Sequence, residues 1–350
     1  TDTLIVAPPG SGKTEVIISR IKYLINRMGV NPQNIIVLTF TKAAALNMKK
    51  RFDTHGQNEP FFGTFHSLFY KILERYKNVK IIDESIIYRV VRRILIKHIG
   101  SPDEETVKNI VNSISLYRSS FQKIDDFNTE ISKSILVECL KKYEDYKKEN
   151  DLMDFDDLQI EFRSLISKNS DIRRNYSRRF KYILVDEFQD CDSLQIDILK
   201  ILNKCGSSIF AVGDEDQCIY SFRGSRPDIM VDFDKAFERG TKMYLKTNYR
   251  CAESIIDISR NLIGYNLMRN DKEIRGHKKD RGIVKVIECE NETDEAFKIS
   301  DIIKKVNGRN MMYEDDAVLY RTNEESRSIT ECFIKENIPF KFMDKGYDMF

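Results

Sequence analysis

A glycine-rich loop between a predicted strand and a predicted helix constrains the fold of this chain more than any other stretch. Residues 3–6 (TLIV) are apolar and β-branched, which is typical of a buried strand. Residues 15–28 then carry apolar side chains at helical spacing. In the intervening APPGSGKT, at 7–14, glycines let backbone N–H groups turn inward beside the amino end of the helix. This order of elements is the one that a phosphate-binding loop needs.

The side chains of this loop predict a nucleoside triphosphate as the ligand. Lys13 would reach the β- and γ-phosphates, and the Thr14 hydroxyl would ligate Mg²⁺. The first loop position holds Ala7 rather than glycine, so the strict pattern fails by one residue. A glycine-rich turn with a surface lysine is the alternative, and the flanking strand and helix argue against it. The predicted nucleotide-binding residues of this loop are Pro9, Gly10, Ser11, Gly12, Lys13, Thr14 and Glu15.

A second predicted strand ends in acidic residues that complete such a site. Residues 182–185 (YILV) are apolar, and DEFQD follows them at 186–190. Asp186 would hold the Mg²⁺ that Thr14 also binds, and Glu187 would activate the attacking water. A turn with surface acids is the alternative, but it accounts poorly for two adjacent acids directly after four buried apolar residues.

Two more stretches combine polar and aromatic residues, and the first of them lies at the end of a predicted strand. The strand at 34–40 runs into a helix at 43–52, and the junction lies at the usual ligand edge of a parallel sheet. A hydroxyl, an aromatic ring and a lysine there suit backbone phosphates and a stacked base, although a core phenylalanine and a capping threonine are an equal alternative. GTFHS, at 63–67, includes a histidine whose role depends on its neighbours. The candidate residues are Thr39, Phe40, Thr41, Lys42, Thr64 and His66.

A further strand at 209–212 precedes a loop with the same combination of side chains. Gln217 would sense the γ-phosphate through its amide, and the aromatic and basic residues that follow suit base stacking and phosphate contact. Downstream, Arg250 follows a strand near 243–245 and would stabilise charge on the transferring phosphoryl oxygens. The stacking and phosphate-contact candidates are Tyr220, Phe222 and Arg223.

The long separation between the two halves of the predicted site indicates an inserted domain. A parallel sheet needs only short connections between such elements, whereas residues 71–175 read as helical throughout. The carboxylates at 154–157 suit the capping of the last of these helices. After residue 259, a β-α-β-α-β order indicates the start of a second parallel sheet, with strands at 282–287, 317–320 and 340–342. The predicted helices lie at 84–99, 107–117, 135–146, 158–166, 294–306 and 324–336.

Composition adds the cellular setting. Hydrophobic residues make up 41% and charged residues 32% of the 350 positions, and no apolar run is long enough to span a bilayer, so we expect no membrane association. Seven scattered cysteines without a C-x-x-C pair, and four histidines without ligand spacing, argue against disulfides and zinc. The net charge of +2 means that affinity for nucleic acid must come from local patches. These features predict a cytoplasmic protein.

Taken in order, the motifs resemble those of UvrD/Rep/PcrA-type superfamily 1 DNA helicases. The resemblance extends from residue 4 to about 343, nearly the whole chain. DEFQD together with the glutamine-containing loop is its most specific part. The matching stretches are APPGSGKT (7–14), TFTKAAA (39–45), GTFHS (63–67), DEFQD (186–190), VGDEDQCIYSFRGS (212–225), NYR (248–250) and AVLYRTNEESR (317–327).

The resemblance implies an α/β fold with RecA-like motor domains, Mg-ATP hydrolysis, and 3′-to-5′ movement on single-stranded DNA and at single-strand/duplex junctions. The implied parts are a first RecA-like domain (1–70 and 176–258), an inserted helical subdomain (71–175) and part of a second RecA-like domain (259–350). The residues implied to serve ATP are Lys13, Thr14, Asp186, Glu187, Gln217 and Arg250, with Tyr249 packing on adenine. The residues implied along the DNA channel are Thr39, Phe40, Thr41, Lys42, Thr64, His66, Tyr220, Phe222 and Arg223.

Some family motifs do not occur in this sequence. The glutamine motif would precede Thr1, and the arginine motif of the second domain and a VxxxHxxKGLE-like motif are not found before Phe350. We therefore expect a chain truncated at both ends, which alone binds Mg-ATP weakly and does not unwind duplex DNA.

Three alternatives remain open at this point. The chain also resembles the helicase part of a helicase-nuclease of the AddA or RecB type. A non-catalytic DNA-binding scaffold is disfavoured by the intact Lys13, Asp186 and Glu187, and a nucleotide switch unrelated to DNA leaves the aromatic and basic loop residues unexplained. The sequence does not distinguish repair from replication restart, plasmid or phage biology.

Overall fold

The computed structural model describes residues 1–52, 58–129, 131–221, 224–307, 312–322 and 324–343. The chain divides into two compact units, Thr1–Gly282 and Ile283–Phe350, each with its own apolar core. Among the described residues, no helix has the length and apolar character that crossing a membrane requires.

Within the described residues, six strands form a sheet at the centre of the first unit. In chain order they are β1 (Asp2–Val6), β2 (Ile35–Thr39), β3 (Phe61–Thr64), β4 (Tyr182–Val185), β5 (Ser208–Gly213) and β6 (Gly240–Tyr244). They lie side by side in the order β3-β2-β4-β5-β1-β6, and every neighbouring pair is parallel. The loops that follow β1, β4 and β5 therefore leave the sheet at one edge. The predicted parallel α/β fold is confirmed.

Helices cover both faces of this sheet, as its near-continuous apolar strands require. Successive residues of β1 point to opposite faces, so Leu4 and Val6 join one core whereas Ile5 and Ala7 join the other. The helices of this unit are α1 (Lys13–Asn26), α2 (Lys42–Phe52), α3 (Phe65–Leu73), α4 (Ser85–Ile99), α5 (Glu104–Ser119), α6 (Lys133–Glu149), α7 (Phe155–Lys168), α8 (Ser170–Arg179), α9 (Ser193–Lys204), α10 (Asp228–Val231), α11 (Phe233–Ala236) and α12 (Glu253–Ile263).

The helices between β3 and β4 divide into two groups. Helices α4, α5 and α6 enclose a core of their own around Val91, Ile110 and Leu136. Helix α7 instead packs its apolar face into the sheet core. It begins with a capping box in which the side chains of Asp154 and Asp157 accept each other's backbone N–H groups, which is the role expected of these carboxylates. The predicted helices are confirmed in this region, and the subdomain boundaries stay predictions.

The edge strand β3 does not appear in the sequence prediction. Its four residues pair in parallel with the end of β2, from Ile36 opposite Phe61 to Thr39 opposite Thr64. Two phenylalanines followed by a glycine give too short a pattern to indicate a strand. The strand nevertheless brings Thr64 to the ligand edge, where its hydroxyl caps α3 by accepting from the backbone N–H of Ser67.

The second unit contains two packed helices, α13 (Glu292–Asn307) and α14 (Glu325–Lys335), with Phe333 in their shared core. Both helix predictions are confirmed. The strands predicted at 282–287, 317–320 and 340–342 are wrong for this structure, because all of these described residues lie outside strands. Ile283 is 83% exposed and Leu319 is 93% exposed. An apolar run indicates a tendency to be buried, but a strand also needs a neighbouring strand for its backbone hydrogen bonds.

Candidate nucleotide-binding site

The glycine loop joins β1 to α1 in the conformation that a phosphate-binding loop requires. Gly10 and Gly12 have φ of +69° and +90°, a region that side-chain-bearing residues rarely adopt. The Ser11 hydroxyl donates to the carbonyl of Pro8 at 2.6 Å and closes the turn. Gly12 directly precedes α1, so the free N–H groups of the first helical turn face the loop.

A second reason for glycine at position 10 lies in the segment that carries Arg250. A Cβ atom at Gly10 would lie 2.6 Å from Asn248 Oδ1 and 2.7 Å from Arg250 Cβ. The backbone N–H of Tyr249 donates to the Gly10 carbonyl at 2.9 Å, and Asn248 Oδ1 accepts the N–H groups of Arg250 and Cys251. Asn248 belongs to a short parallel pair, β7 (Thr247–Asn248) and β8 (Arg275–Gly276). The predicted nucleotide residues Tyr249 and Arg250 thus lie against the glycine loop.

Three predicted catalytic side chains meet at the carboxyl edge of the sheet. The Lys13 ammonium donates to Glu187 Oε2 at 2.6 Å and to Gln217 Oε1 at 3.3 Å. These residues follow β1, β4 and β5, which the strand order places together. Glu187 itself has φ of +48°, a left-handed conformation that costs a residue with a Cβ about 1 kcal/mol. The strand ends therefore converge at one lysine.

The side chain that connects two of these loops was not predicted from the sequence. Gln189 is buried, and its amide nitrogen donates to Glu187 Oε2 at 2.9 Å. Its amide oxygen accepts the backbone N–H of Asp214 at 3.0 Å. Gln189 thereby fixes the loop after β4 to the loop after β5. Its position inside DEFQD is the signal that could have identified it.

The Asp186 carboxylate is buried, and no described residue donates a hydrogen bond to one of its oxygens, Oδ1. Burial raises the pKa of Asp186 to about 7, the neighbouring Glu187 adds to the shift, and Lys13 opposes it. A carboxylate in this state fits a hard divalent cation, which would supply the missing partner. Burial and Glu187 also raise the pKa of the nearby Asp190, to about 6. The residue types at this position therefore suit Mg²⁺.

A cluster of charges that was not predicted lies next to Gln217. The carboxylates of Asp214, Glu215 and Asp216 approach within 4.8 Å of one another, a spacing that would suit a cation. The ammonium of Lys272 lies among them, in contact with Asp214, 2.9 Å from Glu215 and 2.6 Å from Asp216. The cation of this cluster is thus a side chain of the protein. No motif in the sequence marks Lys272.

The predicted DNA contacts at the same edge fall into two groups. Phe40 and Tyr220 stack with ring centroids 4.7 Å apart and planes inclined by 23°. The hydroxyl of Thr39 donates to the Thr41 carbonyl, and the Thr41 hydroxyl accepts the backbone N–H of Ala44 at the start of α2. Those threonines, like Thr64, serve local backbone structure, whereas Lys42 is exposed. Phe222 and Arg223 lie outside the described residues, and all these DNA roles stay predictions.

His66 packs against α7. Its Nε2 atom lies 3.2 Å from the side-chain nitrogen of Gln159, and its ring meets the edge of Phe155 with centroids 5.5 Å apart. Burial lowers the pKa of His66 to about 4, although the nearby Asp154 opposes this shift. The ring is therefore neutral near pH 7, which suits a structural contact between α3 and α7.

We expect His66 to make the folded protein sensitive to mild acid. Its pKa is about 4 when folded against 6.5 when unfolded, so the unfolded chain binds the proton more readily between these values. The stability that this residue contributes is fully present above pH 6.5 and is lost as the pH falls toward 4. Between pH 7.5 and pH 5, the wild type should lose about 2 kcal/mol more unfolding free energy than His66→Gln.

Urea unfolding of both proteins across this pH range measures the difference directly. The comparison with the variant is needed because buried acids with a raised pKa, such as Asp186, contribute stability that increases as the pH falls. Parallel stability profiles for the two proteins would contradict the assignment of a neutral His66.

A parallel sheet with a glycine loop between one of its inner strands and a helix defines the class of P-loop proteins. The profile of the UvrD/REP helicase N-terminal domain matches residues 1–238, and that of the UvrD-like helicase C-terminal domain matches residues 243–350. The chain belongs to the UvrD/REP helicase family. The resemblance found in the sequence is confirmed.

Several proteins of this family are similar to the chain over nearly all of its length. It is 32% identical over 357 residues to a probable DNA helicase II homolog of Mycoplasma capricolum, covering 97% of this chain and 49% of that protein. It is 33% identical over 354 residues to the ATP-dependent DNA helicase Rep of Buchnera aphidicola, covering 96% and 53%. It is 30% identical over 364 residues to the ATP-dependent DNA helicase PcrA of Staphylococcus epidermidis, covering 99% and 49%. The chain spans about half the length of these relatives.

Proposed function

We propose that the protein is an ATP-dependent DNA helicase that hydrolyses Mg-ATP and moves 3′-to-5′ on single-stranded DNA. The convergence of Lys13, Glu187 and Gln217 from three strand ends carries this proposal. The names of the similar Rep and PcrA proteins, which are ATP-dependent DNA helicases, support the choice of substrate. The first RecA-like domain would comprise 1–70 and 176–258, with 71–175 inserted and 259–350 beginning the second.

In this proposal the chain's own residues divide the chemistry among them. The ammonium of Lys13 binds the β- and γ-phosphates, and the ring of Tyr249 packs on the adenine. Glu187 orients the attacking water and accepts its proton. Gln217 contacts the γ-phosphate through its amide, and the Arg250 guanidinium stabilises the charge that develops on the phosphoryl oxygens.

The metal position follows from the donor atoms. Thr14 lies in the first turn of α1, and Asp186 offers a buried oxygen that accepts no hydrogen bond within the part of the chain that the structure describes. A hydroxyl and a carboxylate are ligands that Mg²⁺ prefers. When bound, Mg²⁺ would neutralise charge on the phosphate oxygens and so favour transfer of the γ-phosphoryl group to water.

The stacked pair of Phe40 and Tyr220 supports single-stranded DNA as the track. Phe40 directly follows β2 and is 38% exposed, and Tyr220 lies in the loop after β5 that also carries Gln217. An aromatic face binds any base, so it suits a protein that must move regardless of sequence. Single-strand/duplex junctions are the expected substrates and the cytoplasm is the expected location.

We expect single-stranded DNA to stimulate ATP hydrolysis by the full-length protein, and Phe40→Ala to weaken this response. Stacking contributes about 1–3 kcal/mol per base, so the oligonucleotide concentration for half-maximal stimulation should rise about tenfold. A steady-state hydrolysis assay with increasing oligonucleotide measures this value. Tyr23→Ala, which removes an exposed ring on α1, is the matched control and should keep the wild-type value. Hydrolysis that is indifferent to DNA in the wild type would refute the DNA-driven motor.

A further inference from the structure

The buried ion cluster around Lys272 is connected to the nucleotide site through a single carboxylate. Lys272 and Asp214 have side chains that are 2% and 1% exposed, so their contact is shielded from water. One oxygen of Asp214, Oδ1, accepts from Lys272 and from the backbone N–H of Asp216. The other oxygen, Oδ2, accepts from the Gln217 amide nitrogen at 2.7 Å. Asp214 therefore lies between Lys272 and Gln217.

This arrangement determines which way the Gln217 amide points. An ionised carboxylate only accepts hydrogen bonds, so Asp214 requires the NH₂ side of the amide. The oxygen side, Oε1, then faces the Lys13 ammonium at 3.3 Å. A reversed amide would direct its NH₂ group at an ammonium that has no acceptor atom. The orientation of Gln217 toward Lys13 thus depends on Asp214 remaining an acceptor.

Lys272 is the group that compensates the charge of Asp214 in this setting. Three adjacent carboxylates in a buried site repel one another, and such groups take up protons when they are not compensated. Burial alone lowers the pKa of Lys272, but Asp214 and the other acids outweigh it, so that the pKa lies above its ordinary value. The ammonium is therefore charged and pairs with the three carboxylates that surround it.

The segment that carries Lys272 is fixed to the loop at further points. Arg269 donates to Asp216 at 2.7 Å, and the backbone N–H of Asn270 donates to Glu215 Oε1 at 2.7 Å. Lys242, on β6, donates to the Asn270 side chain at 3.1 Å. These contacts hold the residues after α12 against the loop that follows β5.

We propose that Lys272 is a positioning residue for nucleotide hydrolysis, which acts through Asp214 to direct the amide oxygen of Gln217 at the Lys13 ammonium. This inference rests on the proposed ATP hydrolysis. It adds Lys272, which lies outside the family motifs of the sequence, to the residues that serve ATP hydrolysis. The segment that follows α12 would then contribute to the nucleotide site.

The test is a double-mutant cycle in steady-state ATP hydrolysis by the full-length protein. Lys272→Met, which keeps the length of the apolar stem, should lower kcat about 10²-fold and change KM for ATP by less than about threefold, because misorientation affects chemistry more than binding. Gln217→Ala removes the group on which Lys272 acts. The double variant should therefore be no more than about threefold slower than Gln217→Ala alone. Lys246→Met, an exposed lysine near Glu273, is the matched control and should keep the wild-type kcat.

A second variant leaves the lysine in place and tests the same step without unpairing the buried acids. In Asp214→Asn, Lys272 and the Asp216 N–H hold the amide oxygen, so the NH₂ group faces Gln217 and reverses its amide. The kcat value of Asp214→Asn should fall by the amount expected for Lys272→Met. Asp214→Asn therefore tests the positioning role even if Lys272→Met does not fold.

The outcomes separate this inference from the proposed function. Effects of Lys272→Met and Gln217→Ala that multiply, or an unchanged kcat in Asp214→Asn, would overturn the positioning role while ATP hydrolysis itself stands. A wild-type protein that does not hydrolyse ATP would overturn both.

Discussion

Glu187→Gln is expected to lower ATP hydrolysis by the full-length protein about 10²–10⁴-fold, because the amide cannot accept the proton of the attacking water. The side chain keeps its size and can still accept from Lys13 and Gln189, which reach Glu187 at 2.6 and 2.9 Å. The loss should therefore appear in kcat, with the fold intact. Phosphate release, measured with and without single-stranded DNA, gives the rate.

Glu161→Gln is a suitable control for this experiment. It removes a surface carboxylate that pairs with Lys77 at 2.9 Å, and it should leave hydrolysis unchanged. If Glu187→Gln retained the wild-type rate, another group would have to act as the base.

Asp186→Asn should have effects of opposite sign on stability and on hydrolysis. The pKa of Asp186 is about 7 in the folded protein against 3.8 for an ordinary aspartate, chiefly because the carboxyl is buried. A raised carboxyl pKa stabilises the fold below about pH 4, and this stability is lost as the pH rises through 7. At pH 8 without divalent cations, the variant should be more stable than the wild type by about 2–4 kcal/mol. Hydrolysis should be lost, since the proposed metal ligand is replaced.

Chemical denaturation at two pH values provides the control for this prediction. The stability gain should be present at pH 8 and fall below about 1 kcal/mol near pH 4, where the wild-type carboxyl is neutral in the folded chain and about half protonated in the unfolded chain. Equal stabilities at pH 8 would show that the ionised Asp186 carboxylate does not lower the free energy of unfolding.

The sequence was sufficient for the elements whose signal is local. The apolar run of β4 and the glycine loop before α1 each fit within about ten residues, and the structure places both as predicted. The meeting of Lys13 with Glu187, 174 residues apart, could be predicted because parallel strands bring their carboxyl ends to one edge.

The remaining features depend on partners that are distant in the chain. Gln189 and Lys272 act through contacts with the loop after β5, and neither pattern nor propensity indicates which buried polar groups will pair. The apolar runs around Ile283 and Leu319 show the opposite failure, since a local strand signal is insufficient without a neighbouring strand. Thr39 and Thr64 were predicted as DNA contacts from their place at the sheet edge. Their hydroxyls also bond nearby backbone atoms, which edge position alone does not reveal, and their DNA contacts stay predictions.

The ion pair between Lys13 and Glu187 also affects how nucleotide affinities should be understood. In the structure, Glu187 accepts a hydrogen bond from the ammonium that would receive the phosphates. ATP must therefore displace an internal competitor, and any measured affinity is the difference between two interactions of the same lysine. Removal of Lys13 deletes both interactions, so the resulting change in affinity understates the strength of the phosphate contact.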